Sequence, residues 1–272
     1  MLDWQKNSNY PASLNDMKSI IQISDCHLSD KSSFENLRKA LLLAQGDASC
    51  DTLLFTGDLC CNPRPGDYHA FVNMVEAHVE GKNIFAIAGN HDDAKLMKQE
   101  LLGSSIKVTD KARIHNREVL FLDSSTKPLD RRHPLGSGRI DKRGIARLTK
   151  QLRDTTNPII VVHHPIIPVG SEWMKAICLE NDASLLRLLA KHQVRDVICG
   201  HGHDALTVTL RGVTQHMAPA TAYGFDHSTT EYNRSEQIGV NKLCFEDDGI
   251  TATPTWLPVS YTHLTLPTNR EV

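Results

Sequence analysis

The chain has 272 residues, of which 40% are hydrophobic and 23% are charged, and its formal net charge is −2 at pH 7. This length accommodates one large domain, and the charge balance lacks the basic excess typical of sequence-independent nucleic-acid binding. No apolar run approaches the ~20 residues of a membrane-spanning helix, and the polar segment 1–18 lacks the apolar core of a secretory signal. The cysteines are scattered without a CxxC pair, which argues against a disulfide framework and against a thiolate zinc site. We therefore expect a cytoplasmic protein whose partners include neither a membrane nor a nucleic acid.

Short apolar runs alternate along the chain with longer segments of helical pattern. The runs are too short for helices and rich in Ile, Val, Leu and Phe, so they predict buried strands. In chain order these strands are Ser19–Ser24, Thr52–Thr56, Asn83–Ala88, Val119–Leu122, Ile159–Val162 and Val197–Cys199. The candidate helices are Phe34–Gln45, Tyr68–Glu80, Asp93–Leu102, Lys142–Leu152 and Asn181–Lys191. Ser33 is the expected N-cap of the first helix, and Gly81 and Gly103 are expected C-terminal stops. Strands that alternate with helices predict a layered α/β fold, with further strands and loops over 208–258.

Five of the strand-like runs lead directly into residues that can bind metal ions. The segments are Asp25-Cys-His27, Gly57-Asp58, Gly89-Asn-His-Asp92, His163-His-Pro165 and Gly200-His-Gly-His203. Ligands gather outside the carboxyl ends of strands in open α/β sheets, so we expect these segments to meet at one edge of one sheet. Residues two apart on an extended backbone point the same way, which lets both members of Asp25-x-His27 or His201-x-His203 face one site. The preceding glycines allow sharp turns and a close approach of the backbone.

Oxygen and imidazole ligands without thiolate suit Mn, Fe or Zn, and a pair of such ions is typical of hydrolytic phosphatases. Two dications ~3.5–4 Å apart repel each other, so a shared carboxylate is needed, and Asp58 is our choice. Each motif alone is weak evidence, because an Asp at a strand end is usually a turn residue. All five in this order predict a two-metal site. Surface or packing roles are expected for His69, His78, His115, His133 and His192, while His216 and His227 are left open near the pocket edge.

The motif order resembles that of the calcineurin-like metallophosphoesterases over residues 19–230. Finer features resemble the bacterial class III cyclic-AMP phosphodiesterases and their glycerophosphodiesterase relatives. These features are Ile23–Leu28, Leu120–Ser124, His163–Gly170 with Trp173 after it, and Ile198–His203. The resemblance implies a four-layer sandwich in which two mixed β-sheets are flanked by helices.

The resemblance also implies roles for individual residues. One metal ion would be held by Asp25, His27, Asp58 and His203, and the other by Asp58, Asn90, His163 and His201. His91 would donate a proton to the leaving oxygen, and Asp92 would orient His91. Of the adjacent His163 and His164, the resemblance favours His163 as the ligand. His164 would then contact substrate, together with Asn90, His91 and His203.

These assignments predict an enzyme, a metal-dependent phosphoric diester hydrolase with two divalent ions (Fe, Mn or Zn). It would hydrolyse 3′,5′-cyclic AMP to 5′-AMP through a metal-bridging hydroxide. Trp173, Tyr223 and Phe225 are expected at the wall that receives the base. The alternatives are a glycerophosphodiesterase or another small-molecule phosphodiesterase of the same chemistry and, more remotely, a non-catalytic binding scaffold. A scaffold would show a broken ligand set, whereas here every position is filled.

Three segments are predicted: an N-terminal extension at 1–18, the catalytic domain at 19–257 and a non-native tail at 258–272. The stretch Val259–Thr268 resembles a transposase sequencing adapter translated in one reading frame. We therefore exclude it from fold reasoning, and His263 is not a candidate ligand.

Overall fold

A computed structural model of the chain describes residues 18–246 and 248–258. The strands are β1 Ser19–Ile23, β2 Cys50–Phe55, β3 Asn83–Ala86, β4 Ile106–Lys107, β5 Lys111–Ile114, β6 Arg117–Leu122, β7 Ile159–Val162, β8 Asp196–Cys199, β9 Leu206–Leu210, β10 Val213–Met217, β11 Gly224–Phe225, β12 Arg234–Ser235, β13 Gly239–Phe245 and β14 Ile250–Trp256. The helices are α1 Lys31–Gly46, α2 Asp67–His78, α3 Ala94–Glu100, α4 Lys142–Arg153, α5 Glu172–Ala176 and α6 Asp182–Lys191. None of the helices in this part of the chain has the length and apolar character to cross a membrane.

Two six-stranded sheets form the centre of the fold. The first has the order β14-β13-β1-β2-β3-β4, and the second has the order β5-β6-β7-β8-β10-β9. In the first sheet β1, β2 and β3 run parallel, while β13 and β14 add an antiparallel edge. In the second sheet β6, β7, β8 and β10 run parallel. Both sheets are therefore mixed, and each has parallel strands at its centre.

Alternating side chains along the central strands divide the molecule into layers. On β1, Ile20 packs in the cluster between the two sheets, whereas Ile21 and Ile23 pack in the cluster that includes residues of α1 and α2. On β7, Val161 likewise faces the inter-sheet cluster, and Val162 faces the cluster that includes residues of α4 and α6. Period-two alternation of this kind buries both faces of a sheet. The result is the four-layer α/β sandwich, and that prediction is confirmed.

The predicted strands are all present, and the helix boundaries differ in detail. Helix α1 begins at Lys31, before the predicted start, because Asp30 rather than Ser33 is the N-cap. The Asp30 carboxylate accepts a hydrogen bond from the Ser33 amide, and the Ser33 hydroxyl in return accepts one from the Asp30 amide. This reciprocal pair is a capping box, with Ser33 in its third helical position. Helix α5 was not predicted, since it spans little more than one turn. All but residue 18 of the predicted extension 1–18, and all but residue 258 of the predicted tail 258–272, lie outside the described residues, so the domain boundaries stay a prediction.

Candidate metal centre

The carboxyl ends of the parallel strands of both sheets meet at one end of the sandwich. The loops after β1 and β2 continue the ladder, since the Asp25 amide donates to the Gly57 carbonyl and the His27 amide donates to the Asp58 carbonyl. In the second sheet the Gly200 amide donates to the carbonyl of His163. Asp25, His27, Asp58, Asn90, His163, His201 and His203 are thereby brought together. The five motifs converge, but they do not come from one sheet as expected: three follow β1, β2 and β3 of the first sheet, and two follow β7 and β8 of the second.

Most of these residues lie in a backbone conformation that side chains rarely adopt. Asp25, His27, Asp58, His201 and His203 have φ angles between 44° and 69°. A left-handed residue other than glycine costs roughly 1–2 kcal/mol. Such strain persists only where the surrounding structure holds it, and it gathers at functional sites.

Glycines permit the close approach of the motif loops. A Cβ at Gly89 would overlap the Asp58 carboxylate, and a Cβ at Gly200 would overlap the Ser24 hydroxyl. A Cβ at Gly57 would lie 2.5 Å from Nδ1 of His163. Neither Gly89 nor Gly200 has a positive φ angle. These two positions therefore require glycine because there is no room for a Cβ, and not because the backbone needs a left-handed conformation.

Asp25, His27 and His203 form one cluster of facing ligand atoms. Nε2 of His27 lies 3.1 Å from Nε2 of His203, and Oδ1 of Asp25 lies 3.3 Å from Nε2 of His203. The other oxygen of Asp25 accepts hydrogen bonds from the Ser24 hydroxyl and the His201 amide. Oδ1 itself is buried and accepts no hydrogen bond. An unpartnered buried carboxylate oxygen between imidazole nitrogens fits a cation, which would satisfy all of them at once.

Asp58 lies between this cluster and a second one. Its Oδ2 is 3.6 Å from Nε2 of His27 and 3.4 Å from Nε2 of His163. Nε2 of His163 also lies 3.1 Å from Oδ1 of Asn90. The carboxylate that the sequence predicts as the bridge thus reaches an imidazole of each set. The His and Asp clusters are compatible with divalent metal ions.

Main-chain carbonyl groups orient three of the imidazole rings. Nδ1 of His163 donates to the Thr56 carbonyl at 2.8 Å, and Nδ1 of His203 donates to the Tyr223 carbonyl at 2.7 Å. His201 uses the opposite nitrogen, since its Nε2 donates to the carbonyl of Ile177 at 3.0 Å. In the neutral form of each ring, the remaining nitrogen carries a lone pair. A hydrogen bond of this type fixes the tautomer and raises the basicity of a metal ligand.

Burial and the neighbouring carboxylates set the charge of these rings. Burial lowers the pKa of His27 to about 4 and that of His201 to about 3, so both rings are neutral at neutral pH. Burial also opposes protonation of His163, but the Asp58 carboxylate outweighs it and raises the pKa to about 9. Asp58 therefore favours positive charge at Nε2 of His163. A metal ion between the two groups would supply that charge in place of the proton.

His164 lies behind the site rather than at its surface. It is fully buried, its Nδ1 lies 2.7 Å from the Ser124 hydroxyl, and its Nε2 donates to the Gly136 carbonyl. Both ring nitrogens are therefore occupied, which agrees with the choice of His163 as the ligand. The expected contact of His164 with substrate is not supported by this placement.

Asp92 does not orient His91 as expected. Its carboxylate accepts hydrogen bonds from the backbone amides of Leu59, Cys60 and Gly89, and from the Tyr68 hydroxyl. No hydrogen bond joins it to the His91 ring among the described residues. Asp92 instead joins the loop after β2 to the loop after β3. Sequence spacing could not reveal its contact with Leu59, which lies 33 residues away along the chain.

His91 lies at the open side of the centre. Its amide donates to Oδ1 of Asp58 at 2.8 Å, and its ring meets the His27 ring edge-on with centroids 4.8 Å apart. The side chain is partly exposed. His91 is therefore adjacent to the metal-ligand candidates, with a ring that a solute can reach.

An aromatic wall stands beside the centre, and we define it as Trp173, Tyr223, Phe225, Tyr232 and Arg234. The Phe225 ring stacks on His203 at 4.2 Å, and the Tyr223 ring stacks on His27 at 5.5 Å. The Arg234 guanidinium lies 3.8 Å from the centroid of Tyr223. Trp173, Tyr223 and Phe225 lie where the sequence places them. The sequence analysis missed Tyr232 and Arg234, because no motif or pattern near β12 indicates that this segment folds back onto the site.

The two histidines left open have structural contacts. Nε2 of His227 donates to the Gly202 carbonyl, and its ring stacks on Trp173 at 5.7 Å. His216 is buried against Asp196 at 3.0 Å. His227 therefore supports the aromatic wall, whereas His216 belongs to a buried hydrogen-bonded pair with Asp196 on β10 and β8.

Comparisons with known proteins agree with this geometry. The family model for calcineurin-like phosphoesterases matches residues 18–205. A probable cyclic nucleotide phosphodiesterase of Vesicomyosocius okutanii is 27% identical over 249 residues, which cover 88% of this chain and 99% of that protein. A cAMP/cGMP dual specificity phosphodiesterase of Mycobacterium tuberculosis is 29% identical over 191 residues, which cover 68% of this chain and 58% of that protein. The crystal structure of a dimetal phosphatase from Danio rerio has a TM-score of 0.65 at 16% identity, covering 90% of this chain and 100% of that one. This last likeness concerns the fold alone.

Proposed function

The chain belongs to the calcineurin-like phosphoesterase family, as its motif order predicts, and from that premise we propose that it hydrolyses 3′,5′-cyclic AMP to 5′-AMP. The observation that carries the proposal is the set of facing carboxylate, amide and imidazole groups with an aromatic wall directly beside it. Relatives named probable cyclic nucleotide phosphodiesterases, which align over most of the chain, support a cyclic nucleotide as the substrate.

The proposed ligand sets are those implied by the resemblance to the family. Asp25, His27, Asp58 and His203 would hold one ion, and Asp58, Asn90, His163 and His201 would hold the other. Bound there, two divalent ions lower the pKa of a water molecule and neutralise the charge that grows on the phosphate oxygens. The carbonyl partners of the rings keep their free nitrogens aimed at the centre.

His91 is the proposed proton donor to the leaving 3′ oxygen. It is a partly exposed imidazole whose amide is fixed to the Asp58 carboxylate. The backbone of His91 therefore keeps a constant position relative to the proposed bridge. Protonation of the alkoxide as the ester bond breaks is the usual task of such a group.

The aromatic wall supports a nucleotide over a glycerol diester. Stacking of a base on an aromatic side chain is worth roughly 1–3 kcal/mol, and an Arg guanidinium also stacks and donates several hydrogen bonds. Glycerol offers no ring to Tyr223 or to Arg234. A substrate with a base therefore gains binding energy from this wall that a glycerophosphodiester lacks.

The test is a product assay with the metal-loaded protein over cyclic AMP, cyclic GMP, glycerophosphoethanolamine and bis(nitrophenyl) phosphate. We expect kcat/KM for cyclic AMP to exceed that for the glycerol diester at least tenfold, a difference of ~1.4 kcal/mol. Asp58→Asn should lose bound metal and activity together, whereas Asp130→Asn, at a partly exposed carboxylate paired with Arg132, should keep both. The reverse substrate ratio would identify a glycerophosphodiesterase, and full metal content without turnover of any diester would identify a binding scaffold.

A further inference from the structure

A thiol lies beside the proposed proton donor. Sγ of Cys61 is 3.8 Å from Nδ1 of His91, and a ring nitrogen of His27 lies within 4.8 Å of both ligand atoms. Cys61 and His91 are each partly exposed, so small solutes can reach them. Neither the sequence motifs nor the proposed reaction uses this thiol.

Main-chain hydrogen bonds hold the loops of the thiol and the imidazole next to each other. The Cys61 amide donates to the Leu28 carbonyl, and the next amide, that of Asn62, donates to the His91 carbonyl at 3.2 Å. The Asn62 side-chain amide approaches Sγ at 3.7 Å. The two loops that carry Cys61 and His91 are thus bonded to each other, and the pair is preorganised.

The separation of the two atoms suits a shared metal ion. Zinc binds thiolate sulfur at about 2.3 Å and imidazole nitrogen at about 2.0–2.1 Å in tetrahedral geometry, which separates the two ligand atoms by about 3.6 Å. The observed 3.8 Å is close to that value. Soft thiolate with imidazole selects zinc-like ions over manganese or magnesium.

We propose that Cys61 and His91 form a site for a thiophilic divalent cation such as Zn²⁺ or Cd²⁺, and that its occupation inhibits the enzyme. His27 already belongs to the proposed metal centre, so the new site depends on Cys61 and His91, with water completing the coordination. When the cation binds, the Cys61 thiol releases its proton to solvent and Nδ1 of His91 gives its lone pair to the metal. A ring bound in this way is tied to the cation and is no longer available to the leaving group. The inhibition rests on the proposed function, whereas the binding of the cation does not.

Binding is tested by titrating the reduced, manganese-loaded full chain with Cd²⁺ and recording the ultraviolet charge-transfer absorbance of cadmium thiolate. We expect a saturable signal in the wild type that is absent in Cys61→Ser and at least about tenfold weaker in affinity in His91→Ala. Cys244→Ser, which removes another half-buried thiol, is the matched control and should behave as the wild type. An undiminished signal in Cys61→Ser would overturn the site.

Inhibition is tested by adding Zn²⁺ during diester hydrolysis. The midpoint concentration should rise about tenfold or more in Cys61→Ser and stay unchanged in Cys244→Ser. Equal inhibition of all three proteins would overturn the proposed block of His91. Because the cadmium signal needs no turnover, a failure of the proposed hydrolytic function would leave the binding test decisive.

Discussion

The imidazole rings of the candidate centre show that the identity of a histidine does not determine which of its nitrogens can face a metal. His163 and His203 donate Nδ1–H to carbonyl groups, whereas His201 donates Nε2–H. The motif letters are the same in each case, but the nitrogen left for a metal differs. Asp58 reaches an imidazole of each set through one oxygen and fixes the His91 amide with the other. The residue at the centre of the proposed metal site therefore also positions the proposed proton donor.

The first prediction concerns His91. His91→Ala should retain both metal ions but lose ~10²–10⁴-fold in kcat, the usual span for general acid catalysis. The loss should be smaller for bis(nitrophenyl) phosphate, because nitrophenolate leaves without protonation. Kinetics and metal analysis of the same sample check this, with the exposed His69→Ala as control. A drop in metal content in His91→Ala would make His91 a ligand instead.

The second prediction concerns Arg234. Arg234→Ala should raise KM for cyclic AMP about tenfold, which corresponds to ~1.4 kcal/mol, with little change in kcat. Because the guanidinium lies on Tyr223 rather than among the ligand candidates, metal content should not change. Steady-state kinetics test this, and Arg132→Ala, an exposed arginine on another loop, should have no effect. A fall in kcat at constant KM would place Arg234 in the chemical step.

At the scale of elements, the loops after the strands combine strained residues with close packing. Asp92 accepts two amides from the loop after β2 and one from the loop after β3, which joins the two loops. Hydrogen bonds that buried amides donate to a charged carboxylate are stronger than neutral ones. They offset the cost of the left-handed residues in the same loops and keep the ligand candidates in place.

The third prediction tests this packing. Gly89→Ala places a Cβ against the backbone amide and carboxylate of Asp58, so the variant should lose metal affinity and at least about 100-fold in activity, the upper end for a supporting residue. Gly46→Ala, at the end of α1 with nothing within 4 Å of the new Cβ, should keep activity and gain up to ~1 kcal/mol of stability. Metal titration and thermal unfolding measure both. Normal metal binding by Gly89→Ala would show that the loop can shift to make room for the added Cβ, and it would contradict this prediction.

At the scale of the whole molecule, the described chain closes with an antiparallel edge on the first sheet. Strand β14 pairs along its whole length with β13, which in turn pairs with β1, the strand that leads to Asp25. Leu257 is buried and its amide donates to the Ile238 carbonyl. The edge therefore supports the strand that delivers the first ligand candidate.

The fourth prediction follows from this edge and from the adapter-like sequence after it. Deleting 259–272 should leave the melting temperature and activity unchanged, since we interpret that stretch as non-native. Deleting 250–272 removes β14 and should lower the melting temperature by many degrees, because ~1 kcal/mol shifts it by about 2–4 °C in a domain of this size. Thermal unfolding of both truncated proteins tests these two expectations. A drop of several degrees in the shorter deletion would contradict the interpretation of the tail.

Much of the architecture could be read from local pattern. The apolar runs predicted β1, β2, β3, β6, β7 and β8, and their alternation with helices predicted the layers. The N-cap of α1 was predicted three residues too late, at Ser33 instead of Asp30. Ser33 is the second member of the capping box that Asp30 begins. An Asp at this place is equally compatible with a loop, so the sequence did not single it out. Strands β11 and β12 were beyond prediction, since two-residue strands have no periodicity.

The sequence by itself identified the family, through the resemblance of its motif order, and it named the ligand candidates, because each motif directly follows a strand and ligands gather at the carboxyl ends of such strands. Only the tertiary structure decided which nitrogen of each ring faces the centre, that Asp92 joins loops instead of orienting His91, and that Tyr232 and Arg234 complete the aromatic wall. It also placed Cys61 beside His91, a contact between the loops after two different strands. These features depend on side chains from separate loops meeting in space, and the distances between such loops are set by packing of the two sheets rather than by spacing along the chain.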